Sequence, residues 1–170
     1  MPSIGIYSYE LFKFYDVENI IRVGTAGSMQ KDVKLRDIVL ATASCSESSI
    51  NDNLFGNIKF APTPDFGLLY KAYNKSIELG YTTHCGQVHS TDKFYYDEPS
   101  YIFENLQKYG VLCVEMESYG LFSIARKYNK KALAMFTISD SLVENLRDTS
   151  ENREKSYTDM MKLALEVAPE

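Results

Sequence analysis

The sequence predicts a three-layer α/β fold, with a mixed central β-sheet carrying helices on both faces. Short apolar runs of strand length alternate with segments whose apolar residues recur at helical spacing. Glycine and proline punctuate the boundaries between them, and no stretch has the composition of a linker, a repeat or a low-complexity tract. A length of 170 residues fits one compact domain.

Taken in order, Ser3 to Tyr15 places Ile4, Tyr7, Leu11, Phe14 and Tyr15 on a helix. Asn19 to Val23 reads as a short buried strand, ended by Gly24-Thr25-Ala26-Gly27. Asp37 to Ala43 is a second strand, and the Ser- and Asn-rich stretch from Ser44 to Asn53 a loop. Pro64 to Leu79 is a helix with Pro64 in its first turn, Leu68, Leu69 and Ala72 on its apolar face, and Gly80 at its end. Thr82 to Val88 is a strand, Ser100 to Tyr109 a helix closed by Gly110, and Val111 to Val114 another strand. Ser118 to Asn129 is helical, Ala132 to Ile138 is a strand, and Ser150 to Val167 is the last helix. Strands joined through helices imply a largely parallel sheet, with antiparallel pairing expected around the Thr82 strand.

Composition narrows the function. Eighteen basic residues face 23 acidic ones, for a formal charge of −5. Such a chain lacks the basic face a polyanion needs, so neither nucleic acid nor an anionic membrane is an expected partner. No apolar run approaches the ~20 residues of a membrane span. Met1 to Gly5 show no basic or apolar leader pattern. Cys45, Cys85 and Cys113 are widely spaced and odd in number, which fits buried thiols in a reducing cytoplasm better than a disulfide or zinc framework. Tryptophan is absent, whereas 13 tyrosines and 9 phenylalanines imply a dense core, or surface reserved for a partner or a flat ligand.

Ligands of α/β sheets gather at the carboxyl ends of strands. After the first strand, Gly24 and Gly27 flank Thr25 and let backbone N–H groups approach an anion, with Arg22 adding a charged contact; the plain alternative is a tight turn. Val114-Glu115-Met116-Glu117 follows another strand. Its two carboxylates either grip a vicinal diol such as ribose or serve as first-turn glutamates favoured by the helix dipole. Ser139-Asp140 ends the Ala132 strand, where the aspartate is either a general acid or a capping residue. Arg153 opens the last helix, where pairing with Glu151 or Asp148 is the usual fate of such a residue. Phe94 and Tyr95, after Ser90-Thr91-Asp92, either stack on a planar base or pack in the core. His84 and His89 are an odd number of positions apart in a strand and face opposite ways, supporting neither a metal site nor a Cys-His nucleophile.

In one order and at domain-like spacing, these segments closely resemble the bacterial hexameric-type purine nucleoside phosphorylases of the nucleoside phosphorylase superfamily, along the whole chain from Pro2 to Leu165. The resemblance implies a phosphorylase/hydrolase-like fold and an activity of purine salvage. A purine (deoxy)ribonucleoside would be cleaved by phosphate to free base and (deoxy)ribose 1-phosphate, with inorganic phosphate as co-substrate and no other cofactor. It implies phosphate binding by Arg22, Gly24 and Thr25, where the family usually has serine at the last position. It implies ribose binding by Glu115, Met116 and Glu117, and a base pocket from Phe94, Tyr95, Val114 and Ser139. Asp140 would donate a proton to purine N7 with Arg153 assisting, and Ser141 stands where relatives often have histidine. A cytoplasmic homo-oligomer, a hexamer built as a trimer of dimers, is implied as well. The family carries an upstream segment with a Gly-Asp-Pro phosphate loop, sheet strands, and a histidine and arginine that reach the neighbouring subunit's site. This sequence begins past that segment, so an N-terminally truncated domain with exposed strand edges is expected. A nucleosidase using water, and an inactive homologue that binds nucleoside or full-length subunits, are the competing readings.

Overall fold

The computed structural model describes residues 1–95, 101–149, 151 and 157–168. Helix α1 spans Pro2–Phe14, with proline in its first turn. Strand β1 is Asn19–Ser28 and β2 is Ile38–Ser46, followed by a 3₁₀ turn at Ser49–Asn51. Helix α2 is Phe66–Glu78, with the side chain of Asp65 accepting the Leu68 N–H as its N-cap. Gly80 follows in the left-handed region at φ 73°, which only glycine enters without strain. Then come β3 (Thr83–Ser90), α3 (Tyr101–Lys108), β4 (Cys113–Glu115), α4 (Ser118–Lys127), β5 (Lys131–Ser141), β6 (Leu146–Arg147) and α5 (Thr158–Val167).

The sheet is mixed, as the sequence predicts, but its antiparallel pairs lie elsewhere. β3 runs parallel to both of its neighbours, β2 and β4, whereas β1–β4, β2–β5 and β5–β6 are antiparallel. β1 and β5 pair in parallel along the whole of β1, so five of the six pairings close on themselves in the order β1-β4-β3-β2-β5-β1 among the described residues. From Asn19 to Ala26 the pairing of β1 is with β5 alone, which leaves that stretch a sheet edge among the described residues. The segment Gly24-Thr25-Ala26-Gly27 is strand rather than a turn. The eleven-residue β5 offers a continuous ladder to it as far as Ser28. Ser44 to Ser46 likewise extend β2 instead of opening a loop, because the Ser44 and Ser46 hydroxyls bond to Ser90 on β3.

Two apolar layers enclose the sheet. Phe12 of α1 with Leu121, Phe122 and Ala125 of α4 packs on Val39, Val88 and Phe136. Leu68 and Ala72 of α2 with Met160 and Leu163 of α5 pack on Leu40, Leu133 and Met135. Buried on both faces, β5 reads as an unbroken apolar run from Ala132 to Phe136. Glu151 is helical and α5 runs over Thr158–Val167, while Ser150 and residues 152–156 of the expected last helix lie outside the described residues; Tyr157 before α5 is buried and its hydroxyl donates to Asp148 at 3.2 Å.

Candidate active site

The ends of β1, β4 and β5 converge on one cavity of 780 Å³. Parallel pairing carries β1 and β5 forward together. A register shift after Ala26 then sets Gly27 opposite Asp140, leaving Ser139 as the bulged residue. β4 crosses antiparallel on the other side of β1, with Val114 beside Gly27.

Arg22 lies two residues before Gly24 on the same face of β1 and folds back over it. A methyl group at Gly24 would stand 2.0 Å from Arg22 Nη1, so the missing side chain is the space the guanidinium occupies. Arg22 Nη2 donates to Glu117, Nε lies 3.8 Å from Glu115 Oε2, and Cζ sits 5.1 Å from the Phe136 ring centroid. Nη1 is buried and has no hydrogen-bond partner among the described residues. Thr25 borders the cavity next to Arg22.

The two carboxylates after β4 part company as α4 begins. Glu115 turns inward and is buried. It accepts the hydroxyls of Ser90 and of Ser118 (2.6 Å) and the backbone N–H groups of Glu117 (2.9 Å) and Ser118 (3.0 Å). It is thus both the acceptor for the start of α4 and a brace for Arg22. Glu117 instead keeps a third of its side chain open and pairs with Arg22 at the cavity wall. Glu115 thus takes the helix-start role, while Glu117 borders the cavity.

Asp140 also lines the cavity, where Ser139 Oγ donates to its Oδ2 at 2.8 Å and Arg147 Nε stands 3.6 Å from its Oδ1. Phe94, Val114 and Met116 supply apolar walls. Tyr95 stands edge-on to Phe94 at 4.9 Å between centroids, but it is 85 % exposed and outside the cavity lining. Arg153 lies outside the described residues.

Sequence reading missed other wall residues. Phe103 and Gln107 sit one turn apart on α3, a spacing that marks a shared face. The Gln30 side chain fixes the end of that helix by donating to the carbonyls of Gln107 and Val111 at 2.9 and 2.8 Å. Arg147 had no local signal, because the β5–β6 pairing alone brings it to Asp140. Glu47 accepts from the Thr91 hydroxyl (2.7 Å) and the Asp92 N–H (3.0 Å), tying down the segment that leads to Phe94. Burial pushes the Glu47 carboxyl up, but these bonds together with His89 hold it below its ordinary value.

His89 is buried, with Nε2 3.2 Å from Glu47 and Nδ1 3.8 Å from Cys45 Sγ, and its ring meets Phe103 edge-on. Burial pushes its imidazole below the ordinary value and the Cys45 thiol above its own. A thiolate–imidazolium nucleophile needs the opposite pair of shifts. Among the described residues no three His, Cys, Asp or Glu side chains are grouped to hold a metal ion. No described helix is long and apolar enough to cross a membrane.

Comparison with known proteins agrees with this geometry. The chain is 48% identical over 168 residues to "Purine nucleoside phosphorylase DeoD-type" of Thermoanaerobacter sp. (strain X514), an alignment covering 99% of this chain and 72% of that protein. Proteins of the same name from Caldanaerobacter subterraneus subsp. tengcongensis and Listeria monocytogenes serotype 4a are each 46% identical, with 72% and 71% of their length covered. The family described as the phosphorylase superfamily matches residues 1–168, a span that takes in every wall of the cavity, and the chain belongs to it.

Proposed function

We propose that the protein is a purine nucleoside phosphorylase, cleaving purine (deoxy)ribonucleosides with phosphate to the free base and (deoxy)ribose 1-phosphate. One observation carries this reading. One cavity is lined by an arginine with a buried N–H group that has no partner among the described residues, a glutamate paired with that arginine, and an aspartate. A buried donor without an acceptor needs explaining, and a phosphate oxygen beside Arg22 and Thr25 supplies one. The relatives' printed names support the same activity.

The chemistry follows from the placement. A phosphate oxygen attacks the anomeric carbon while the C1′–N9 bond breaks, and the bonding pair leaves with the base. Glu117 holds ribose hydroxyls beside the attacking anion. Asp140 delivers a proton to N7 and so neutralises the leaving group; Phe94, Val114 and Met116 flank the ring. Glu115 acts through Arg22; the assisting role of Arg153 rests on the family resemblance alone. Inorganic phosphate is the one co-substrate the reaction requires.

An inosine cleavage assay with and without phosphate tests the reading. Phosphate-dependent release of hypoxanthine supports it. Release independent of phosphate indicates a nucleosidase, and no turnover indicates an inactive homologue. We further infer a cytoplasmic homo-oligomer of hexameric type. Ile6, Tyr7, Phe14 and Tyr15 stand exposed along α1, a display of apolar side chains expected of an interface. Light scattering of the purified protein reads its mass directly.

A further inference from the structure

We propose that Glu47 is a positioning residue for the base: by anchoring residues 91–93 it holds the Phe94 ring where the purine stacks, and it acts on nucleoside binding through Phe94. The inference rests on the purine reading above and adds to its base site a residue that does not touch the substrate.

Glu47 follows β2 directly. The parallel register of β2 and β3 sets Ser46 beside Ser90, so Glu47 meets Thr91 where the two strands end. The Ser46 hydroxyl fixes that junction by donating to the Ser90 carbonyl at 2.6 Å. From there one carboxylate oxygen, Oε1, accepts both the Thr91 hydroxyl at 2.7 Å and the Asp92 N–H at 3.0 Å. The Thr91 oxygen in turn accepts the Lys93 N–H at 3.1 Å, which carries the anchor to the residue before Phe94. The other carboxylate oxygen, Oε2, stands 3.2 Å from Nε2 of the buried His89 imidazole, so both oxygens are held. Burial pushes the carboxyl up, but the Thr91 and Asp92 bonds with His89 keep it below its ordinary value, and it accepts as an anion. Thr91, Lys93 and Phe94 line the cavity, whereas Glu47 stands outside its lining. The Phe94 ring is 67 % exposed and meets the exposed Tyr95 edge-on, so its place is set by the backbone that carries it rather than by core packing. A mobile ring must be ordered at each binding event, which weakens affinity; a ring already in place avoids that loss. The Arg22 side of the cavity is braced separately, by Glu115 and Glu117. Loss of the Glu47 anchor therefore falls on the base and not on phosphate.

The experiment measures kcat and the KM for inosine and for phosphate in the wild type, Glu47→Ala, Phe94→Ala and the double variant, with thermal melts to establish folding. Glu47→Ala is expected to raise the inosine KM about tenfold, within the range for loss of a stacked ring, while kcat and the phosphate KM stay within about twofold. In the Phe94→Ala background the same change has no further effect, because the two residues act as one unit. Glu47→Gln, whose amide oxygen still accepts from Thr91 and Asp92, restores most of the affinity. Thr91→Val keeps the shape and deletes one anchoring hydroxyl; it raises the inosine KM about two- to tenfold and takes the place of Glu47→Ala if that variant does not fold. An unchanged inosine KM in the folded variant, losses that add in the double variant, or an equal rise in both KM values overturns the role of Glu47 and leaves the phosphorylase reading standing. Absence of phosphate-dependent cleavage in the wild type overturns that reading instead. Calorimetric titration of the same proteins with hypoxanthine then decides the role of Glu47: losses of affinity that do not add support it, and additive losses or binding of no base overturn it.

Discussion

Replacing Gly24 by alanine separates folding from phosphate binding. The backbone at Gly24 lies outside the left-handed region, so alanine costs nothing in conformation. The new methyl group stands 2.0 Å from Arg22 Nη1, 2.9 Å from Cζ and 3.1 Å from Nη2, where ordinary contact begins at 3.4 Å. The obstructing atoms are the end of a flexible side chain, so Arg22 swings away and the strand stays. That movement pulls the guanidinium off Glu117 and out of the position proposed to meet phosphate. A charge-assisted hydrogen bond contributes about 1.5–3 kcal/mol, which corresponds to about a 10- to 150-fold rise in the KM for phosphate. Glu117 is a third open to solvent, so the stability cost stays small and Tm moves by no more than about 4 °C. Phosphate titrations of inosine cleavage, with a thermal melt of the same preparation, measure both quantities. A phosphate KM within twofold of the wild type refutes the geometry, and a large fall in Tm refutes the claim that Arg22 alone yields.

Three further outcomes are expected. Asp140→Asn keeps the shape but removes the acid, and kcat for inosine falls by about 10²–10⁴ with little change in Tm; an unchanged rate sinks the acid role. Glu115→Gln sets an amide N–H₂ against the Ser90, Glu117 and Ser118 donors that Glu115 now satisfies. The loss is about 2 kcal/mol, read as a Tm lower by about 4–8 °C. Burial holds the His89 imidazole below its ordinary value, against the opposing pull of Glu47, the Cys45 backbone and Glu115. As pH falls below about 6.5 the unfolded chain takes up the proton before the folded one does. Stability is therefore complete above about pH 6.5 and declines below it until His89 itself titrates. Melts of the wild type and His89→Gln over pH 5 to 8 check this, the variant showing the flatter profile.

Much of the fold is legible along the chain because its cues are local. Leu68 and Ala72 at helical spacing, Gly80 past the end of α2, and the apolar run of β5 each act within a few residues. The Gly24 to Gly27 segment misleads for a matching reason. Glycines at a strand end usually mark a turn, and the ladder that keeps this one extended is supplied by β5, more than a hundred residues later. The motif Val114-Glu115-Met116-Glu117 shows two carboxylates, but their separate roles depend on Ser90 and Arg22, which other strands contribute.

The sequence by itself determined the α/β class and the superfamily, because these are carried by local periodicity and short contiguous motifs. Tertiary structure alone decided how the cavity residues are placed. It set the Arg22 guanidinium in the void of Gly24, buried Glu115 while leaving Glu117 open, and tied the Thr91 segment to Glu47. It also brought Arg147 to Asp140. Each of these is a contact between segments distant in the chain, fixed by sheet register and close packing, and such contacts leave no periodicity or motif for sequence to display.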